Sequence, residues 1–205
     1  MDDDPGTGGP QPPVRDPDLA TRDFLSCVLI PAWIAAGMLD WTWHRMTHIE
    51  RNAGAHESLT HFLMAAEAGI GITAGLFLEI DAGVIATMAA CALLHEATVV
   101  WDVAYAAPRR TVAQHEDHTH SFLETLPFAT AAFAAFANPA QTLALAGLGT
   151  ERARFRFRPS RTPPRARTYL ALAAGILFGV APYAEELVRC LRVKPTLAPR
   201  PVPAA

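Results

Sequence analysis

The sequence predicts an all-α protein, a polytopic helical bundle integral to a membrane. Its 205 residues are 51% hydrophobic and only 18% charged, which is too apolar for a disordered chain. Four apolar segments are long enough to cross, or nearly cross, a bilayer that takes about 20 helical residues. The 20 acidic and 17 basic residues nearly cancel, so we expect no nucleic-acid partner.

The four predicted spans lie between two polar, Pro-rich tails. In chain order the spans cover residues 24–39 (extended toward 43), 59–78, 82–101 and 168–184. Pro31 is expected to kink the first span, and residues 79–81 form a tight turn between the second and third. We expect disorder in the tails, residues 1–22 and 191–205, and a membrane domain at residues 23–190.

The uncharged stretch at residues 125–150 is broken by Asn138-Pro139, which leaves open a re-entrant hairpin of two short helices. Residues 151–167 hold seven arginines and one acid. Two other loops are also basic, through Arg45, Arg51, Arg109 and Arg110. By the positive-inside rule these segments share the cytoplasmic side, which requires residues 122–150 to enter and leave there. The Ala- and Arg-rich composition predicts a bacterial inner membrane.

Several ionisable side chains interrupt the apolar segments, and each costs on the order of 2.5 to 3.5 kcal/mol to insert. They are Glu67, His95, Glu96, Asp102 and Glu124. Glu67 lies 14 residues before Asp81 and His95 lies 14 after it, which puts both roughly 20 Å from the turn. His61 and Asp102 lie 20 and 21 residues from Asp81, roughly 30 Å away. Each pair therefore shares one layer, the second near the opposite interface.

All 8 histidines lie between residues 44 and 120. Three acid and histidine pairs have i, i+4 spacing, which puts both members on one helix face. These pairs are Asp40/His44, Glu57/His61 and His120/Glu124. Histidine and carboxylate without cysteine are ligands of iron, manganese or zinc, and the number of candidates favours two metals over one. The predicted metal ligands are drawn from Asp40, His44, Glu57, His61, Glu67, His95, Asp102, His118, His120 and Glu124.

The HisArgXxxXxxHis sequence at His44–His48, followed by His56, His61 and the cluster at His115–His120, resembles the membrane-bound fatty-acid hydroxylase, sterol desaturase and acyl desaturase superfamily. The resemblance covers about residues 40–124. It implies two irons on the cytosolic face of a helical membrane domain, where O2 is used to hydroxylate or desaturate a lipid-like substrate. The later motifs of that superfamily contain adjacent His-His pairs, which this chain lacks, so carboxylates would replace some histidine ligands.

We therefore expect an integral membrane, non-haem di-iron oxidoreductase that acts on a hydrophobic substrate with O2. Its electrons would come from a separate reductase, since the chain has no GxGxxG turn or other flavin or nicotinamide signature. The sequence leaves open a zinc-dependent hydrolase of a lipid amide or ester, a small metal or proton transporter, and a b-type haem protein. A structural hydrogen-bonded network without metal would use the same residues.

Overall fold

A computed structural model describes residues 16–193 as a bundle of long helices. The helices, labelled α1 to α6 in order, are Pro17–Met46, Ala55–Phe77, Ala82–Ala106, Gln114–Ala137, Pro139–Leu145 and Ala166–Arg192. A 3-10 turn at Ile49–Arg51 lies between α1 and α2. Within residues 16–193 the only β pairing is an isolated bridge between Leu78 and Pro159. The predicted all-α class is confirmed.

Four of the helices, α1, α2, α3 and α6, are long and apolar enough to cross a membrane, as predicted. Large apolar side chains also face outward from the bundle, including Leu94 on α3 and Phe136 on α4. An apolar exterior on long helices is what the hydrocarbon core of a bilayer requires. The chain is therefore an integral membrane protein.

Two helices contain a π-helical turn that ends just before a proline. The turn at Leu25–Leu29 precedes Pro31 in α1, and the turn at Gly175–Val180 precedes Pro182 in α6. A proline ring clashes with the carbonyl four residues earlier, and the wider π turn relieves that clash. Helix α1 consequently continues through Pro31, the position at which the sequence predicts a kink.

Helix α1 begins inside the segment that was predicted to be disordered. Asp16 caps it by accepting a hydrogen bond from the Asp18 amide at 3.1 Å, and Pro17 occupies the first turn. A proline at this position favours a helix, because its missing N–H has no partner there in any case. At the other end, α6 continues to Arg192. The remaining tail residues, 1–15 and 194–205, lie outside the described residues.

The bundle has two ends, which we name by their connections. The turn end contains residues 78–81 between α2 and α3, and the loop end contains residues 47–54 and 107–113. Helix α4 runs from the loop end to the turn end, where Ala134 packs in the apolar cluster with Val84 and Ile85. The break at Asn138-Pro139 is present, but residues 122–150 do not return to the loop end.

The basic segment at residues 151–167 lies at the turn end, so the prediction that all basic segments share one side was wrong. Its backbone pairs with the turn: the Glu79 amide donates to the Arg158 carbonyl at 2.9 Å. Asp81 accepts from the Arg156 amide at 2.8 Å, and the Arg161 guanidinium lies 2.7 Å from Glu79. The carboxylates of the turn therefore hold this segment in place. The positive-inside rule counts basic residues and takes no account of such carboxylate partners.

Candidate metal centre

Ionisable side chains from five helices meet in one layer within about two helical turns of the loop end. They are Asp40 and His44 from α1, Glu57 and His61 from α2, Asp102 from α3, Glu116 and His120 from α4, and Glu186 from α6. We call these eight residues the centre. All of them are buried except His120, whose side chain is 18% exposed.

Glu186 joins the two innermost histidines of the centre. One carboxylate oxygen lies 2.9 Å from His44 Nδ1 and the other lies 3.3 Å from His61 Nδ1. The two imidazole rings stack with centroids 4.6 Å apart. On their far sides, His44 Nε2 lies 3.3 Å from Glu116 and His61 Nε2 lies 3.4 Å from Asp102. Every nitrogen of both rings therefore faces a carboxylate.

The centre contains three sets of side chains that could each hold a metal ion. In each set one potential ligand atom per residue lies within 4.8 Å of the others. The sets are Asp40/His44/His120, His44/His61/Glu186 and Glu57/His61/Asp102. Because His44 and His61 each belong to two sets, the sets form one continuous row.

Several atoms of this row are buried without a hydrogen bond of normal geometry among residues 16–193. They are Asp40 Oδ1, His44 Nε2 and His120 Nε2. His120 Nε2 and Asp40 Oδ1 approach to 2.7 Å. Buried polar atoms are normally hydrogen-bonded, and converging lone pairs without protons between them match a cation site.

The charge of the centre favours bound cations. Asp40, Glu57, Asp102, Glu116 and Glu186 are each at most 5% exposed, and one buried arginine, Arg110, accompanies them. With neutral histidines the group carries four net negative charges, since five carboxylates face one guanidinium. Each unpaired buried charge costs several kcal/mol, and two divalent cations would neutralise the group.

Arg110 connects the centre to the loop end. Its Nε lies 2.8 Å from Glu57 Oε1, and its Nη1 lies 2.6 Å from Glu116 Oε1. Burial disfavours the charged guanidinium, but the hydrogen bonds to Glu57 and the charges of both carboxylates prevail and raise the pKa of Arg110. From the sequence, Arg110 was interpreted as one of the basic loop residues that set the orientation in the membrane. In the structure it is a buried partner of the centre.

Two hydroxyl groups orient carboxylates of the centre. Tyr183 Oη donates to Asp40 Oδ2 at 3.0 Å, and Thr60 Oγ1 donates to Asp102 Oδ1. Hydrogen bonds of this kind fix the direction of ligating carboxylates in metal sites.

Six of the ten predicted ligands lie in the centre, namely Asp40, His44, Glu57, His61, Asp102 and His120. Glu67 and His95 form a separate pair one layer deeper, with Oε2 and Nδ1 4.0 Å apart. Both predicted layers are thus confirmed. Glu124 lines a cavity beside the centre. His118 lies on the exposed face of α4 against Phe122, outside the centre.

Three residues of the site were not predicted from the sequence, namely Glu116, Glu186 and Arg110. Glu116 precedes His120 by four residues, so the i, i+4 spacing used for the other pairs was an available signal. His118 lies between them on the opposite face of the helix. Glu186 was missed because the last span was predicted to end at residue 184, whereas α6 continues to Arg192.

Two openings reach the centre from different surroundings. An opening of about 390 Å³ at the loop end is lined by polar residues, among them Asp102, Asp117 and His120, and by apolar residues such as Val103 and Val112. A smaller cavity of about 50 Å³ extends the other way. It is lined by Asp40, His61, Asp102 and His120 of the centre, and by apolar side chains that include Trp33, Met64, Val99 and Leu123. The centre thus has a polar access and an apolar one.

An apolar groove of about 690 Å³ lies on the outer side of this cavity, between α1, α2 and α6. Trp33 and Ala65 line both the groove and the cavity. These two side chains separate the groove from the cavity. No protein family, curated protein or solved structure matches this chain, so the interpretation of the centre rests on its own geometry.

Proposed function

We propose that this protein is a membrane-embedded non-haem di-iron oxidoreductase that uses O2 to hydroxylate or desaturate a hydrophobic substrate. The observation that carries the proposal is the row of three ligand sets, which share His44 and His61. Carboxylates and histidines that project from facing helices into a bundle core are typical of di-iron sites. Glu186 contacts both histidines and would help to hold the ions beside them.

Two bound irons would supply the activation of O2 and the oxidation of a C–H bond. Hydroxylation converts R–H, O2, two electrons and two protons into R–OH and H2O. Desaturation removes two hydrogens from the substrate and yields two H2O from the same O2, electrons and protons. The electrons would come from a separate reductase protein.

The chain's own residues would hold the site and control access to it. Arg110 fixes the direction of Glu57, as Tyr183 does for Asp40. The polar opening at the loop end provides a route for protons and water. The apolar lining of the inner cavity, which includes Trp33 and Leu123, keeps bulk water from the reacting carbon.

The distribution of polar residues favours an enzyme over a transporter. Between the Glu67 and His95 layer and the turn end, the five long helices carry no acidic, basic or histidine side chain. The stretches concerned are 24–33, 68–78, 82–94, 125–137 and 168–180. An ion pathway would need such groups to continue across the membrane. The stacked rings of His44 and His61 also leave no slot for a porphyrin between them.

Oxygen uptake by chemically reduced protein tests the proposal. We expect purified protein that has been chemically reduced under argon to consume O2 in proportion to the electrons it received. When substrate is present, we expect an oxidised hydrophobic product. Glu186→Gln should abolish the uptake. Glu185→Gln is the matched control, because Glu185 is exposed and pairs with Arg45 instead. A zinc hydrolase would hold zinc and take up no O2, and that result would overturn the proposal.

A further inference from the structure

His95 has a buried ring nitrogen that none of the contacts described so far uses. The residue is 3% exposed, and its Nδ1 lies 3.2 Å from the Met64 carbonyl oxygen. A carbonyl oxygen only accepts, so Nδ1 carries the proton of this hydrogen bond and, in the neutral ring, Nε2 keeps its lone pair. His95 Nε2 is buried without a hydrogen-bond partner among residues 16–193. Within these residues, Nε2 is a hydrogen-bond acceptor without a donor.

His95 lines the same cavity as the centre. The cavity reaches from His95 to Asp102, which lies two helical turns further along α3, about 10 Å away. Between them the lining is mainly apolar, and Glu124 is the other polar residue at this depth. A ligand in the cavity would therefore find the His95 acceptor and the Glu124 carboxyl group at its inner end, and the centre at its outer end.

We propose that this cavity binds the hydroxyl end of a single-chain alcohol, whose O–H donates to His95 Nε2. The assignment of this alcohol as the substrate rests on the proposed function, whereas its binding does not require metal. One O–H satisfies the free lone pair of His95. A primary ammonium would bring a charge and two further donors into a mainly apolar lining.

The chain of this alcohol leaves the cavity past Trp33 and Ala65 and lies in the apolar groove. The Trp33 ring packs where α6 has no side chain, since a Cβ on Gly179 would lie 3.7 Å from the ring. The cavity of about 50 Å³ holds only the polar end and the first carbons, so the remaining carbons lie on the bilayer side.

Two isomeric ligands test the hydrogen bond. 1-Butanol and diethyl ether contain the same atoms, but only the alcohol can donate. We expect the apparent affinity for butanol, taken from the concentration dependence of Tm in detergent, to exceed that for the ether by about fivefold, as for one neutral hydrogen bond. Equal affinities in the wild-type protein would overturn the proposal, and so would tighter binding of 1-butylamine.

Variants assign the preference to one residue. His95→Phe should remove it, and His95→Gln should restore part of it through the amide oxygen. His118→Phe is the matched control, because His118 is exposed on α4 and should leave the preference unchanged. A preference that survives in His95→Phe would overturn the proposal. If metal-free protein prefers butanol, the alcohol site is supported even if the di-iron proposal fails. If iron-loaded protein shows no such preference, the alcohol site is overturned and the di-iron proposal is unaffected.

Discussion

Arg110 is the positive charge that accompanies the five buried carboxylates of the centre, so replacing it tests how that charge is balanced. Arg110→Met keeps the apolar part of the side chain and removes the guanidinium. Glu57 and Glu116 would each lose their contact with it, at 2.8 and 2.6 Å. With neutral histidines, the metal-free centre would then carry five negative charges against none.

The expected loss of stability follows from burial. Arg110 is 6% exposed and both glutamates are fully buried, so solvent screening is small. Removing one partner of a buried ion pair costs about 3 to 5 kcal/mol, because a buried charge is left uncompensated. We expect a decrease of that size in the free energy of unfolding of metal-free Arg110→Met.

Unfolding in mixed micelles with increasing SDS, followed by circular dichroism, measures this free energy. Arg109→Met is the matched control, because Arg109 is adjacent but stacks on the Tyr105 ring at 3.7 Å. Loss of that contact should cost about 1 kcal/mol. If the two variants differ by less than about 1 kcal/mol, the assignment of Arg110 as a buried charge partner is refuted.

Two further changes probe the support of the centre and its side of the membrane. Tyr183→Phe removes the hydroxyl that donates to Asp40 and should weaken metal binding about 10-fold, measured by competition with a chelator. Tyr169 is exposed, so Tyr169→Phe should leave metal binding unchanged. Equal metal affinities of the two variants would contradict the role of the Tyr183 hydroxyl. The seven arginines of residues 151–167 lie at the turn end, so we expect that end to face the cytoplasm and the centre to lie toward the other side, opposite to the side that the resemblance implied. In a cysteine-free background, an impermeant maleimide should label Met46→Cys but not Arg161→Cys in intact cells, and the reverse pattern would contradict this orientation.

The layers of the centre could be predicted from the sequence because the rise of a helix is uniform. Counting outward from Asp81 placed His61 with Asp102 and Glu67 with His95, and both pairs are within 4 Å in the structure. The turn between α2 and α3 fixed the common origin for that count. Depth therefore followed from spacing alone.

Partners that depend on tertiary contacts could not be predicted in this way. Arg110 and the arginines of residues 151–167 look alike in sequence, yet Arg110 is buried against Glu57, while the Arg156 backbone lies against Asp81. Glu186 follows an apolar run and precedes basic residues, which is also the pattern of a helix end at a membrane surface. Only the packing of α6 against α1 and α2 brings Glu186 to the histidines.

Metal content by inductively coupled plasma mass spectrometry tests the central claim most directly. Under the proposed function, two metal ions would be held in the row of ligand sets that share His44 and His61. We expect about two irons per chain in detergent-purified wild-type protein, retained in Glu185→Gln and lost in Glu186→Gln. A single zinc, or no tightly bound metal in freshly purified protein, would contradict the di-iron account.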